Sequence, residues 1–228
     1  MRAVQGVLEL LFPRKCVFCG KLLDREETDL CRGCRRDVPA VSAGHRSIPF
    51  VSAWTAVYCY EGVVRDSLLR FKFGGRESYA AAYGRALAAR IQEELEGEFD
   101  LLTYVPVSAR RRFQRGYDQV RLLAGAVGRE LGRKPIRTLR KCQHNPAQSS
   151  LPGREQRRAN VLGVYQAVRP DMWTGKRILI LDDIITTGAT VSECARVLQT
   201  AGAAKVLCAA VAARKSGPKE LDNMGDTP

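Results

Sequence analysis

No stretch of the 228-residue sequence approaches the roughly 18 consecutive apolar residues that a membrane-crossing helix requires. The nearest thing to a secretory signal, VLELLF at residues 7–12, is too short and carries Glu9 inside it; its spacing is that of a short amphipathic helix. The expected compartment is the cytoplasm, where thiols stay reduced. Neither GxxxxGK[ST] nor GxGxxG occurs, which disfavours a P-loop ATPase. Histidine is scarce. His45 has no evident role, and His144 stands alone in a long loop, where a histidine is most simply solvated. No residue stands out as a general acid or base.

Acidic residues are nearly missing from one region. Between Ser108 and Arg158 there are fourteen Lys or Arg and three acids, in a chain whose formal charge is +13. Such a basic focus favours a polyanion: a phosphorylated small molecule, a nucleic acid or an anionic surface. The plain alternative is a solvated, arginine-rich face. Aromatics there are sparse (Phe113, Tyr117 and, nearby, Tyr165), which weighs against base stacking.

What is present divides the chain in three. Residues 1–41 read as a short helix and a cysteine-rich knuckle, residues 40–49 (AVSAGHRSIP) as a linker, and residues 50–215 as an α/β domain ahead of a frayed tail at 216–228. In that domain, strands are expected at residues 54–60, 101–107, 135–139, 161–168, 177–181 and 205–211. Helices are expected at 63–73, 77–95, 117–131 and 189–201. Alternating strands and helices imply a mainly parallel sheet with helices on both faces. Residues 142–160 lack apolar periodicity, and a loop that long in a compact domain usually serves function or moves.

Eight cysteines occur. Cys16-x-x-Cys19 and Cys31-x-x-Cys34 have the spacing of two metal-binding turns, with Gly20 and Gly33 supplying backbone freedom. Four thiolates close a tetrahedral, structural Zn²⁺ shell. An iron–sulfur cluster also takes four thiolates, and two disulfides are the remaining alternative, disfavoured in a reducing compartment. Cys59, Cys194 and Cys208 read as core thiols; Cys142 has no evident partner.

The segment ILILDDIITTGAT (residues 178–190) joins an apolar strand to two carboxylates and then to a loop with almost no bulk. Asp182 and Asp183 are expected at the carboxyl edge of the sheet, where α/β folds bind ligands. Thr186, Thr187, Gly188, Ala189 and Thr190 lead into a helix whose first amides and hydroxyls form an anion cradle, Gly188 allowing close approach. Two carboxylates would repel the phosphate but suit the hydroxyls of a neutral polyol beside it. A phosphorylated ribose satisfies both halves.

ILILDDIITTGAT resembles the phosphoribosyl-pyrophosphate (PRPP) motif of type I phosphoribosyltransferases. The chain more narrowly resembles the ComF/GntX family through FPRKCVFCG at 12–20 with the second CxxC, FKFGG at 71–75, VPVSARRRFQRGYDQ at 105–119 and AQSSLPGREQRRANVLGVY at 147–165. One departure is Asp118, where an RGYNQ-like element would carry Asn. The resemblance implies that Asp182 and Asp183 hold the ribose hydroxyls and residues 186–190 the 5′-phosphate. It also implies that the loop after the 101–107 strand, with Arg110, Arg111, Arg112 and Arg115, meets pyrophosphate. The loop with Gln148, Arg157 and Asn160 takes the place of a hood. Two functions follow as expectations: Mg²⁺-dependent phosphoribosyl transfer from PRPP to a base or amine, or handling of single-stranded DNA during uptake with a DNA-import ATPase. Lys72 in FKFGG would reach an anion or stand exposed beside its turn.

Overall fold

The computed structural model describes residues 13–41, 47–142 and 163–214. The expected N-terminal helix and C-terminal tail, His45, and the loop positions His144, Gln148, Arg157 and Asn160 lie outside the described residues.

The sequence of apolar runs builds a four-stranded parallel sheet in the order β1–β6–β5–β2. Its strands are β1 (Ala53–Cys59), β2 (Leu101–Tyr104), β5 (Arg177–Ile185) and β6 (Lys205–Ala213). The two central strands are buried almost throughout, as continuous apolar runs in a parallel sheet should be. Side chains alternate between faces. Leu179 and Leu181 pack with helices α2 (Gly62–Phe73), α3 (Tyr79–Leu95) and α5 (Gln119–Glu130), while Ile178 and Ile180 pack with α6 (Ala189–Thr200). Helices α3 and α5 approach closely at Gly84, where a Cβ would lie 2.4 Å from that of Ala126.

Several expected bounds shift for physical reasons. Strand β2 stops at Tyr104, just before Pro106, which has no N–H for the ladder. Strand β5 instead continues four residues past Leu181, because β6 pairs with it as far as Ile185↔Ala213. The arginine-rich segment expected as a loop is a helix, α4 (Ala109–Arg115), N-capped by Ser108 and ended by Gly116 at φ 80°. The strands expected at 135–139 and 161–168 reduce to β3 (Leu139–Lys141) and β4 (Tyr165–Ala167), which pair antiparallel in a separate two-stranded sheet. The bond from Cys142 N–H to Val164 C=O (2.8 Å) closes the base of the long loop.

Asp118 caps α5, accepting from Arg121 N–H at 3.0 Å. Asn caps as well as Asp, so the departure from the RGYNQ-like element leaves this role intact. Asp118→Asn should be nearly neutral, and Asp118→Ala should lose about 1 kcal/mol in denaturant unfolding.

The knuckle is no separate appendage. Val17 and Phe18, between the first two cysteines, are buried in the same core as α2 and α3. Phe18 meets Tyr58 edge-to-face at 5.0 Å, Ser67 donates to Val17 C=O, and Arg70 donates to Phe18 C=O. The presumed linker begins as an extra edge on β1: Ala40 bridges Tyr58, and Val41 N–H bonds Val57 C=O.

Candidate functional site

The four knuckle cysteines converge. Their sulfur atoms all lie within 4.8 Å of one another, and Cys19 and Cys31 are 3.6 Å apart. A regular tetrahedron with 2.3 Å metal–sulfur bonds has edges of about 3.8 Å, so the set fits Zn²⁺. None is in a disulfide. Gly20, at φ 77°, makes the first turn as expected, whereas Gly33 lies inside helix α1 (Arg32–Asp37), capped by Cys31. The second pair therefore comes from a helix start and needs no glycine freedom. Against the cost of burial, the amides of Cys19, Cys31 and Phe18 hold the Cys16 thiol down to about 7. Burial first, then the neighbouring thiols, push Cys34 well up. Four crowded sulfurs cannot all ionise without a cation, and a divalent metal provides it. Cys59, Cys194 and Cys208 are buried core thiols, and Cys142 is exposed with Gln166 Oε1 3.5 Å from its sulfur.

The second site lies where β5 outruns β2. Past Leu181 the strand is paired on one edge only, so Asp182 and Asp183 stand at the carboxyl end of the sheet, where folds of this class form a ligand crevice. Successive residues on a strand point to opposite faces, and the two carboxylates divide accordingly. Asp183, 4% exposed, turns to the α2/α5 side. There it accepts from Lys72 Nζ at 2.9 Å and Gln119 Nε2 at 3.0 Å. Asp182, 8% exposed, turns to the α6 side, where Cys194, Lys141 and Tyr165 surround it electrostatically. Burial, then the adjacent Asp183 carboxylate, pushes Asp182 up to about 8; Lys72, Lys141 and the Asp183 amide pull it back. Lys141 lies over the Tyr165 ring, 5.4 Å from its centroid, and burial beside Arg111 lowers its ammonium to about 8.

Helix α4 hangs over this crevice. Arg111 and Arg115, one turn apart, are half-buried, while Arg110 and Arg112 are exposed. Arg111 acts on Lys141 and Tyr165. Arg115 sits 4.7 Å over the Phe73 ring and feels Asp183, though burial is the main influence on it. Beyond β5, Gly188 takes φ 79° and caps α6, and Thr187 Oγ1 accepts from Ala189 N–H at 3.3 Å. Thr186, Thr187 and Thr190 are half-buried there, and Ile48 lies against Gly188, 3.1 Å from where a Cβ would stand.

The fold thus brings Asp182, Asp183, Arg111, Arg115 and the 186–190 turn to one edge. It leaves Arg110 facing water, and Arg157 lies outside the described residues. Lys72 is not the exposed lysine weighed from sequence; it is mostly buried in an ion pair with Asp183. Lys141, Gln119 and Tyr165 were not picked out for this crevice. Gln119 lies within the VPVSARRRFQRGYDQ stretch and Tyr165 ends AQSSLPGREQRRANVLGVY, but Lys141 carries no local signal. Gln119 Oε1 is the one buried side-chain polar atom without a hydrogen-bond partner among the described residues. Among these residues, the knuckle is the only group of three or more Cys, His, Asp or Glu placed to hold a metal.

Comparison with known proteins finds matches in two stretches of the chain. Residues 122–227 match the phosphoribosyl transferase domain family and residues 7–45 the double zinc ribbon domain family. The chain is 27% identical to competence protein ComFC of Streptococcus pneumoniae, covering 82% of this chain and 77% of that one. It is 29% identical to DNA utilization protein YhgH of Salmonella typhi, covering 84% and 86%. Among solved structures, glutamine PRPP amidotransferase from B. subtilis aligns at 22% identity and a TM-score of 0.43, over 62% of this chain and 30% of that longer one. With a double zinc ribbon match ahead, a phosphoribosyl transferase domain match behind, and similarity along most of its length, the chain resembles the ComFC and YhgH proteins.

Proposed function

We propose that the crevice binds PRPP or a related ribose 5-phosphate, with Mg²⁺ carried on the ligand's phosphates. The observation that supports this most is the charge arrangement past the end of β2. Two buried carboxylates are flanked by four cations, Lys72, Arg111, Arg115 and Lys141, beside a bare turn opening α6. A net positive crevice suits phosphates, while carboxylates and the unpartnered Gln119 Oε1 suit sugar hydroxyls. The amides and hydroxyls of Thr186, Thr187, Gly188, Ala189 and Thr190 take the 5′-phosphate. Arg111 and Arg115 face the pyrophosphate, with Arg110 and Arg157 at its rim.

Turnover is displacement of pyrophosphate from the anomeric carbon. The carbon–oxygen bond breaks with its electron pair leaving on pyrophosphate, and a base or amine forms the new bond. Guanidinium groups neutralise the leaving oxygens as charge builds on them. Isothermal titration of PRPP and Mg²⁺ tests the reading. The folded double variant Asp182→Asn, Asp183→Asn should bind at least tenfold more weakly, and unchanged affinity overturns it. Labelled PRPP with a panel of bases, read as pyrophosphate release, separates transfer from binding.

A second reading is supported by the basic stretch and by the names of the relatives. In it, the protein handles single-stranded DNA in the cytoplasm alongside a DNA-import ATPase. Among the described residues no helix is long and apolar enough to cross a membrane. The two readings are compatible.

A further inference from the structure

On the outer side of β2, a cavity of about 510 Å³ is lined by Arg112, Arg121, Lys134 and Arg137, with Pro106 and Val107 of the loop after β2. Asp118 is the one carboxylate in its wall. Each element contributes for a local reason. Arg121 follows the Asp118 cap on α5, one turn before Gly125, which leaves that wall open. Lys134 and Arg137 come from the segment after α5, held along β2 by the bond from Ile136 N–H to Leu102 C=O (2.9 Å). Arg112 reaches in from α4. None of these four cations forms an ion pair within 4 Å among the described residues; Arg137 only donates to Leu139 C=O at 3.2 Å. Four like charges lining one cavity repel each other, and a multiply charged anion relieves that repulsion.

A second observation narrows the anion. Phe113, next to Arg112 on α4, is 91% exposed. An exposed aromatic ring offers a face on which an unpaired base stacks, whereas a duplex keeps its bases inside. We infer that this groove holds the phosphodiester backbone of a single-stranded polynucleotide, with one base on Phe113. The inference rests on the second reading.

The test is fluorescence anisotropy with a labelled twenty-nucleotide oligo-dT between about 50 and 200 mM salt. The double variant Arg121→Ala, Lys134→Ala should bind about tenfold more weakly and with a shallower salt slope, because each lost phosphate contact removes about one unit of slope. Phe113→Ala should lose about tenfold with the slope unchanged, since stacking releases no counterions. All three substitutions should leave melting temperature and PRPP titration as in the parent. If the parent protein ignores oligo-dT at low salt, the DNA-handling reading falls and the groove with it. If it binds but both variants bind equally well, only the groove assignment is wrong. Equal affinity for a duplex with no effect of Phe113→Ala overturns the single-strand occupant. Displacement by dTMP at micromolar concentration would instead identify a free nucleotide.

Discussion

Chelating the knuckle's metal, or replacing Cys34 by Ser, lowers the melting temperature of the whole chain rather than freeing residues 13–41 alone. Structural zinc contributes on the order of 10 kcal/mol to domains that cannot fold without it. Here the metal-bearing turn also holds Val17 and Phe18 in the main core, and its carbonyls accept from Ser67 and Arg70 of α2. Without the turn, Phe18 leaves a void beside Tyr58 and Tyr83, and Ser67 keeps only its contact with Tyr83. Losing a buried Phe costs roughly 3–5 kcal/mol by itself. The damage also has a path to the crevice, since Lys72, the partner of Asp183, stands two residues beyond Arg70. The check is a thermal melt followed by near-ultraviolet circular dichroism, with and without a zinc chelator, alongside released zinc. An unchanged main transition after full zinc release would show the knuckle to be dispensable for the domain.

Asp182→Asn should raise stability at neutral pH, while Asp183→Asn should lower it. The Asp182 carboxyl titrates at about 8 in the folded chain because burial and Asp183 disfavour its charge. In the unfolded chain it titrates near 4. A carboxyl raised on folding binds its proton more tightly in the native state. Its contribution is fully present below about pH 4 and is lost as pH rises towards about 8. Asparagine removes that loss, for a gain on the order of 2 kcal/mol at pH 7.5, and flattens the decline across this window. Asp183 differs because its charge is matched by Lys72, and asparagine there leaves a mostly buried ammonium unpaired, a loss on the order of 2 kcal/mol. Urea titrations of both variants at pH 5 and pH 7.5 decide it; a parent protein whose stability rises over this range would refute the assignment. A residue kept at a cost to stability is what a ligand-binding carboxylate looks like.

Much of this was legible in the chain. The two CxxC pairs define a metal cluster from spacing alone, since each pair bites from one short local segment, a turn for the first and a helix start for the second. The apolar runs at 178–181 and 205–211 predict buried parallel strands, and Gly188 marks the turn before α6. The misplaced features have tertiary causes. Strand β5 runs through both aspartates because β6 pairs with it, and nothing within residues 177–185 records that partner. The arginine loop is a helix because Ser108 caps it and Gly116 ends it, a signal present but outweighed by its charge. Residues 40 and 41 looked like linker by composition, yet β1 had an open edge that they fill.

The sequence by itself determined the inventory: four thiolates for a metal, two adjacent carboxylates, a glycine turn, and an excess of arginine. These follow from chemistry that acts within a few bonds of the chain. Only the tertiary structure decided that the aspartates face opposite sides of one strand, that Lys72 and Gln119 hold one while Lys141 lies near the other, and that the arginines divide between the crevice and an outer groove. Those partners come from separate helices and a separate small sheet. Their meeting is set by how helices pack on the two faces of a sheet, where side-chain alternation and burial, not local spacing, choose the neighbour.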